Sequence, residues 1–185
     1  MKNFKIIVFA LCALSLFTCE RDDLCDEDTP TTPRMIFEFR DLANPESTKD
    51  VMDIRVEDPD DSTHFLADYN GTNNELQMIL PLKTERNETL EGETQYAVYK
   101  DYAIDDNGTP DDTSDDFPTG NKDVITITYK VIDVYVSRAC SYKTTYENVS
   151  VTIEPDGDNW MLFEAATNDN QSVLNEDETH WTIRH

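Results

Sequence analysis

Beyond residue 34 the apolar residues of this chain recur at every second position and almost nowhere at helical spacing. Met35, Phe37 and Phe39 alternate with Ile36, Glu38 and Arg40. Met52, Ile54 and Val56 alternate with Asp53, Arg55 and Glu57, and Leu76, Met78, Leu80 and Leu82 with Gln77, Ile79, Pro81 and Lys83. A period of two places one set of side chains on one face of an extended chain, so each segment predicts a strand with one buried face. Pro81 has no N–H to give to a ladder, which predicts an edge position or a bulge there. Further strands are predicted over 95–102, 124–129, 132–142, 146–154, 160–165 and 179–184, the last with Trp181 and Ile183 inward. In 132–142 the pattern sets Ile132, Val134, Val136 and Cys140 on one side. Arg138 then falls among them, either paired with a carboxylate or displaced by a bulge. About nine short strands separated by Asp, Asn, Gly, Pro and Thr turns predict an all-β fold over 34–185. An antiparallel β-sandwich of immunoglobulin-like type is the expected architecture, with a small barrel as the alternative.

The beginning of the chain has a different chemistry. Lys2 and Lys5 precede the apolar run 6–17, IIVFALCALSLF. That run is about a dozen residues long, against the roughly 20 that a spanning helix needs. It has the length of the apolar core of a signal peptide. Leu16-Phe17-Thr18-Cys19 resembles the lipobox of bacterial lipoproteins, which makes 1–18 a leader and Cys19 the acylated first residue of the mature chain. Thr18 and Phe17 are bulkier than usual in that motif, so ordinary cleavage near Ser15 and retention as an uncleaved anchor are the alternatives. Two or three acyl chains hold a protein stably on a bilayer where one holds it only marginally. Glu20, Arg21, Asp22 and Asp23 resemble the export signal of Bacteroidetes surface lipoproteins, with Arg21 in place of the more usual Lys. The expected address is therefore the cell surface side of the outer membrane, with its periplasmic face as the alternative. Residues 19–33 form the tether, and TPTTP at 29–33 favours an extended, semi-rigid spacer.

Four cysteines are present. Cys12 belongs to the leader and Cys19 to the lipid. Cys25 and Cys140 remain, in an oxidising compartment, where an even pair reads as a disulfide. Two free thiols are the alternative; a metal held by two cysteines so far apart, with no neighbouring His, is a weaker one.

The formal net charge is −24, and loss of the leader removes two lysines more. Such a chain repels nucleic acid and anionic lipid and also its own copies, which favours a monomer with a well-solvated surface. Acidic residues concentrate at 105–116, DDNGTPDDTSDD, where Asp105, Asn107, Asp111 and Asp115 flank Gly108. Calcium requires six to eight oxygen ligands around a turn that can close, and this order resembles the loops of thrombospondin-type repeats. The EF-hand register fails, because Ser114 stands where a bidentate Glu belongs. A solvated acidic hairpin tip is the alternative to a Ca²⁺ site. No nucleophile elbow, zinc-protease helix, P-loop or dinucleotide fingerprint occurs, so no catalytic residue is assigned and an enzyme is not expected. His180 and His185 bracket the terminal strand at a spacing of five, which puts them on opposite faces as expected surface residues. Tyr96, Tyr99 and Tyr102 offer either a recognition surface or core and edge packing. Asp61-Ser62-Thr63 resembles the Bacteroidetes O-glycosylation signal, with Ser62 as acceptor.

CERDDLC at 19–25, TPTTPRMIFEF at 29–39, VYVSRACSYK at 134–143 and HWTIRH at 180–185 together resemble a family of small Bacteroidetes lipoproteins of unknown function. The resemblance implies a β-rich domain and pairing of Cys25 with Cys140, and it implies no activity. Ser141 departs from it, since Gly is expected after the cysteine, and the acidic loop is longer than usual. The expectation is a membrane-anchored, non-catalytic binding or structural module that contacts another envelope protein or a glycan, with a calcium-stabilised adhesin-like domain as the alternative and a glycan-active hydrolase less favoured.

Overall fold

The computed structural model describes residues 24–26 and 29–185. They form nine strands and no helix: β1 (Met35–Arg40), β2 (Arg55–Asp58), β3 (Asp61–Asn70), β4 (Gln77–Leu80), β5 (Glu91–Asp105), β6 (Phe117–Ser137), β7 (Ser141–Ile153), β8 (Phe163–Ala166) and β9 (Trp181–Arg184). One sheet has the order β4-β1-β9-β8 and the other β3-β2-β5-β6-β7. Among the strand pairs with described register, β1 with β9 is parallel and the others are antiparallel. The described residues divide into two compact units: residues 24–26 and 29–31 with Val134–Lys143, and Thr32–Asp133 with Thr144–His185.

The larger unit is the expected β-sandwich. Met35, Phe37 and Phe39 of β1 and Ile183 of β9 are fully buried, as are Val56, Val98, Ile125 and Ile127 of the opposite sheet, and all belong to one core cluster. Each such side chain contributes about 1.5–3 kcal/mol through removal from water. The alternation therefore fixes which face is inward, although three phases differ from expectation. Met52 is exposed while Val51 is buried, because Asp53 takes a left-handed φ of 43° and breaks the extended chain ahead of β2. Leu76 is exposed because β4 begins only at Gln77. The segments 124–129 and 132–137, expected in two strands, belong to one long β6; the turn 138–140 follows, and Ser141 and Tyr142 open β7. The buried side of β6 is Ile125, Ile127, Tyr129 and Val131, and Val134 is exposed. Arg138 lies exposed in the turn at 138–140, outside the strand whose alternation had placed it among apolar residues.

Four tyrosines stitch the two sheets together. The Tyr69 hydroxyl of β3 accepts the Ile79 N–H at 2.8 Å. Tyr96 of β5 donates to the Pro81 carbonyl at 2.5 Å, Tyr146 of β7 to Leu82 at 2.9 Å and Tyr129 of β6 to Lys83 at 2.9 Å. Four strands of the five-stranded sheet thus each grip the backbone of 79–83, at the end of β4. An edge strand leaves backbone groups without ladder partners, and buried polar groups left unbonded cost about 1–3 kcal/mol each. The tyrosines meet both demands at β4, the edge position that Pro81 had implied. Asp123 of β6 plays a related part: fully buried, it accepts the N–H groups of Trp160 at 3.2 Å and Met161 at 2.8 Å. Burial pushes its carboxyl up, against the pull of those two hydrogen bonds.

Candidate functional site

β3 was not legible as a strand, since nearly all of its residues are exposed. It pairs with β2 out of step: Glu57 faces Phe65 and Arg55 faces Asn70, so two residues of β2 span five of β3. Such a bulge bends the strand. It sends Tyr69 into the core and leaves Phe65 with 44% of its surface exposed.

Val56 points into the core, so Arg55 and Glu57 point to the sheet's outer face. Even there Glu57 is only 5% exposed. The Arg55 guanidinium donates from Nε to Glu57 at 2.6 Å and from Nη2 to the Ser62 carbonyl at 2.8 Å. The same group lies 4.2 Å from the centre of the Phe65 ring and 4.7 Å from that of Tyr102. Tyr102 meets Tyr99 edge-on at 5.3 Å. Burial first, and then the Glu57 carboxylate to which it hydrogen-bonds, push the Tyr99 hydroxyl up to about 12. Gly71 completes the packing, because a Cβ there would stand 2.3 Å from Tyr102 Cδ1 and its φ is +87°. The ring contacts contribute on the order of 1 kcal/mol each, whereas Glu57 left without Arg55 costs several. The ion pair therefore decides the geometry and the rings follow it.

Beside this cluster lies an open groove of about 280 Å³, lined by Glu57, Asp58, Phe65, Lys83, Gln95 and Tyr96 together with His64, Leu66 and Thr94. Aromatic and aliphatic surface alternates in it with carboxylate, amide, amine and imidazole, which suits a small polar ligand having one apolar face. A larger depression of about 470 Å³ over β5 and β6 is lined mostly by Glu91, Glu93, Thr128, Lys130, Asn87 and Asn148 and offers Tyr129 as its aromatic element. Of the three tyrosines considered as a recognition surface, Tyr99 is buried, Tyr102 packs on Arg55, and the Tyr96 hydroxyl is taken by Pro81. They are packing residues, and Phe65 beside them is the exposed ring that alternation had not singled out.

The other expected site residues are placed as follows. Cys19, Glu20, Arg21, Asp22 and Asp23 lie outside the described residues. Cys25 and Cys140 form a disulfide with Cα atoms 4.9 Å apart, closing a separation of 115 residues. It joins the tether to the turn between β6 and β7 and so is not the inter-sheet bridge of antibody domains. Ser141 after it adopts a φ of 64°, the left-handed region in which Gly is favoured.

In the acidic loop, Asn107 Nδ2 donates to Asp115 at 3.1 Å, Thr109 donates to the same carboxylate at 2.9 Å, and Asp105 accepts the Asn107 N–H at 2.8 Å. Those hydrogen bonds from Asn107 and Thr109 hold Asp115 below the usual carboxylate range. The loop thus brings Asn107 and Asp115 into direct contact, while no group of three Asp, Glu, His or Cys side chains suited to a metal is gathered among the described residues. Ser62 is exposed on β3.

The two histidines correct the expectation of surface positions: His180 is 2% exposed and His185 6%. His180 Nδ1 accepts the Ile36 N–H at 2.9 Å and its Nε2 lies 3.0 Å from the Asn175 carbonyl, which fixes a neutral ring with the proton on Nε2. His185 packs edge-on against Phe39 and Trp160. Burial, above all, lowers the pKa of both. Parallel pairing of β9 with central β1 is what encloses them, and spacing along one strand carries no signal of that. No family model, no curated protein and no solved structure matches this chain.

Proposed function

We propose that this chain is an acyl-anchored, non-catalytic binding module of the bacterial envelope, monomeric and displayed at the cell surface, whose groove beside Phe65 receives a sugar ring of a glycan. The observation that carries the ligand class is the exposed Phe65 ring, backed on Arg55 and bordered by Asp58, Gln95 and Lys83. A pyranose presents one C–H face to an aromatic ring and hydroxyls to carboxylate and amide groups around it. The groove is shallow and its Glu57 is committed to Arg55, a pattern that fits holding a ligand rather than transforming it. The address rests on Cys19 and on Glu20, Arg21, Asp22 and Asp23, whose order resembles the lipidation and export signals described above, with Arg21 in place of Lys. An acidic exterior fits neutral glycans better than polyanionic ones.

Full-length protein in vesicles, tested against immobilised neutral and acidic polysaccharides, checks this reading. The expected result is binding to a neutral glycan that falls at least about tenfold in Phe65→Ala, the size of one aromatic contact of about 1.4 kcal/mol, with the melting temperature measured alongside. Binding that is unaffected by Phe65→Ala, or absent for every polysaccharide, contradicts it.

A further inference from the structure

Exposed apolar side chains occur in both units, but in the smaller one most of them stand on a hairpin without acids. Leu24 is 84% exposed, Tyr135 59%, Tyr142 63% and Val134 38%. Tyr135 and Tyr142 pair edge-on at 5.4 Å across the turn between β6 and β7, and Arg138 is exposed at that turn. From Val134 to Tyr146 there is no Asp or Glu, the longest such run beyond Cys19 in a chain with 39 acidic residues. Exposed aromatic and aliphatic side chains on the one acid-free hairpin of a strongly acidic protein are not accounted for by solvation.

The disulfide supplies the occupant. Cys140 in the turn is bonded to Cys25, and Cys25 follows Cys19 by six residues. A chain rises at most about 3.6 Å per residue, about 22 Å over six residues, and the disulfide adds 4.9 Å between Cα atoms, so Cys140 in the turn lies within roughly 27 Å of the acylated residue however the tether runs. That reach is about the thickness of one leaflet with its headgroups, so the tether keeps the turn near the membrane surface. Tyrosine is enriched at that layer because its ring is apolar and its hydroxyl polar, and a cation meets lipid phosphate there. We propose that the hairpin turn 134–143, with Leu24, is a membrane-contacting element that seats Tyr135, Tyr142 and Arg138 in the headgroup layer of the bilayer holding the acyl anchor. The inference rests on acylation of Cys19. Its physical role is to present the acid-free hairpin of a chain of net charge −24 to the headgroups, while the acids that flank Cys25 (Asp22, Asp23, Asp26, Glu27 and Asp28) stay on the tether.

The native Trp160 and Trp181 are buried, so an indole placed at the turn can be read against a quiet background. Full-length lipidated Tyr142→Trp protein is reconstituted in phosphatidylethanolamine/phosphatidylglycerol vesicles, with or without bromine on the upper acyl chains, and flotation is measured on the same samples. The expected result is that bromine lowers the added emission at least about twofold, as for an interfacial ring, while wild-type emission changes little, and that Arg138→Glu reduces the quenching. Flotation without quenching of the Tyr142→Trp indole overturns the proposal and leaves the acyl anchor standing. Failure to float sinks both.

Discussion

Single buried polar groups in this protein carry more of its behaviour than their number suggests. His180 is the clearest. Its Nδ1 must stay unprotonated to accept the Ile36 N–H, and burial lowers its pKa from an ordinary value near 6.5. A histidine whose folded pKa is depressed stabilises the fold fully above about pH 6.5. As pH falls below that, the unfolded chain takes the proton first, and the contribution is lost as pH passes through the folded pKa. His185 shifts in the same direction. The expected outcome is a stability loss between about pH 7.5 and about pH 5.5 that is larger in wild type than in His180→Asn, whose amide oxygen can accept the same N–H. Urea titrations of both proteins at the two pH values check it. An equal loss in the two would mean that His180 does not couple protonation to folding.

Among the elements, β3 depends on one cation. Arg55 joins Glu57, the Ser62 carbonyl and two rings, so it pins the bulged strand to the sheet's outer face. Arg55→Ala is expected to cost about 3 kcal/mol, chiefly because Glu57 is left charged and nearly buried. Replacing both members, as Arg55→Met with Glu57→Leu, is expected to cost less than Arg55→Ala alone. Denaturant midpoints of the two variants decide the matter, and a double variant less stable than the single one contradicts this account. The same element shows where reading the chain succeeds and where it stops. Strands with one buried face, such as β1 and β9, declare themselves by alternation because burial selects every second residue. β3 has almost no buried face, so its residues, Phe65 among them, carry no such period. The tyrosine hydroxyls that grip 79–83 join strands far apart in sequence, and alternation reports facing rather than partners. Asp53 broke the phase of Met52 through a left-handed φ, which an Asp permits without announcing it. The cysteine pairing was legible because so few cysteines remained once the leader and lipid were assigned.

At the scale of the whole molecule, the proposed lipid site, a short tether, a disulfide and a sandwich lie in sequence order along one chain. The tether is docked before the first strand: Thr32 Oγ1 accepts the Thr144 N–H at 3.0 Å, and Arg34 holds Glu176 through Nε at 3.0 Å and Nη2 at 2.7 Å. In the chain-entropy model a loop of 115 residues yields on the order of 4–5 kcal/mol. Cys25, however, lies well ahead of β1, so breaking the bond also releases the folded-state tether and offsets part of that gain. Its larger consequence is positional, since it ties the β6–β7 turn to the tether that precedes β1, the end proposed to be anchored. The central claim is that this anchored end carries the domain to the outside of the cell, where a groove for glycans has a use. Protease treatment of intact cells, beside an Arg21→Ala/Asp22→Ala/Asp23→Ala variant and Cys19→Ala, tests that claim most directly. The account predicts that the wild-type domain is digested on whole cells, that the triple variant is protected until the outer membrane is opened, and that Cys19→Ala is released as soluble protein. Protection of the wild type on intact cells would contradict surface display and move the search for a ligand to the periplasm.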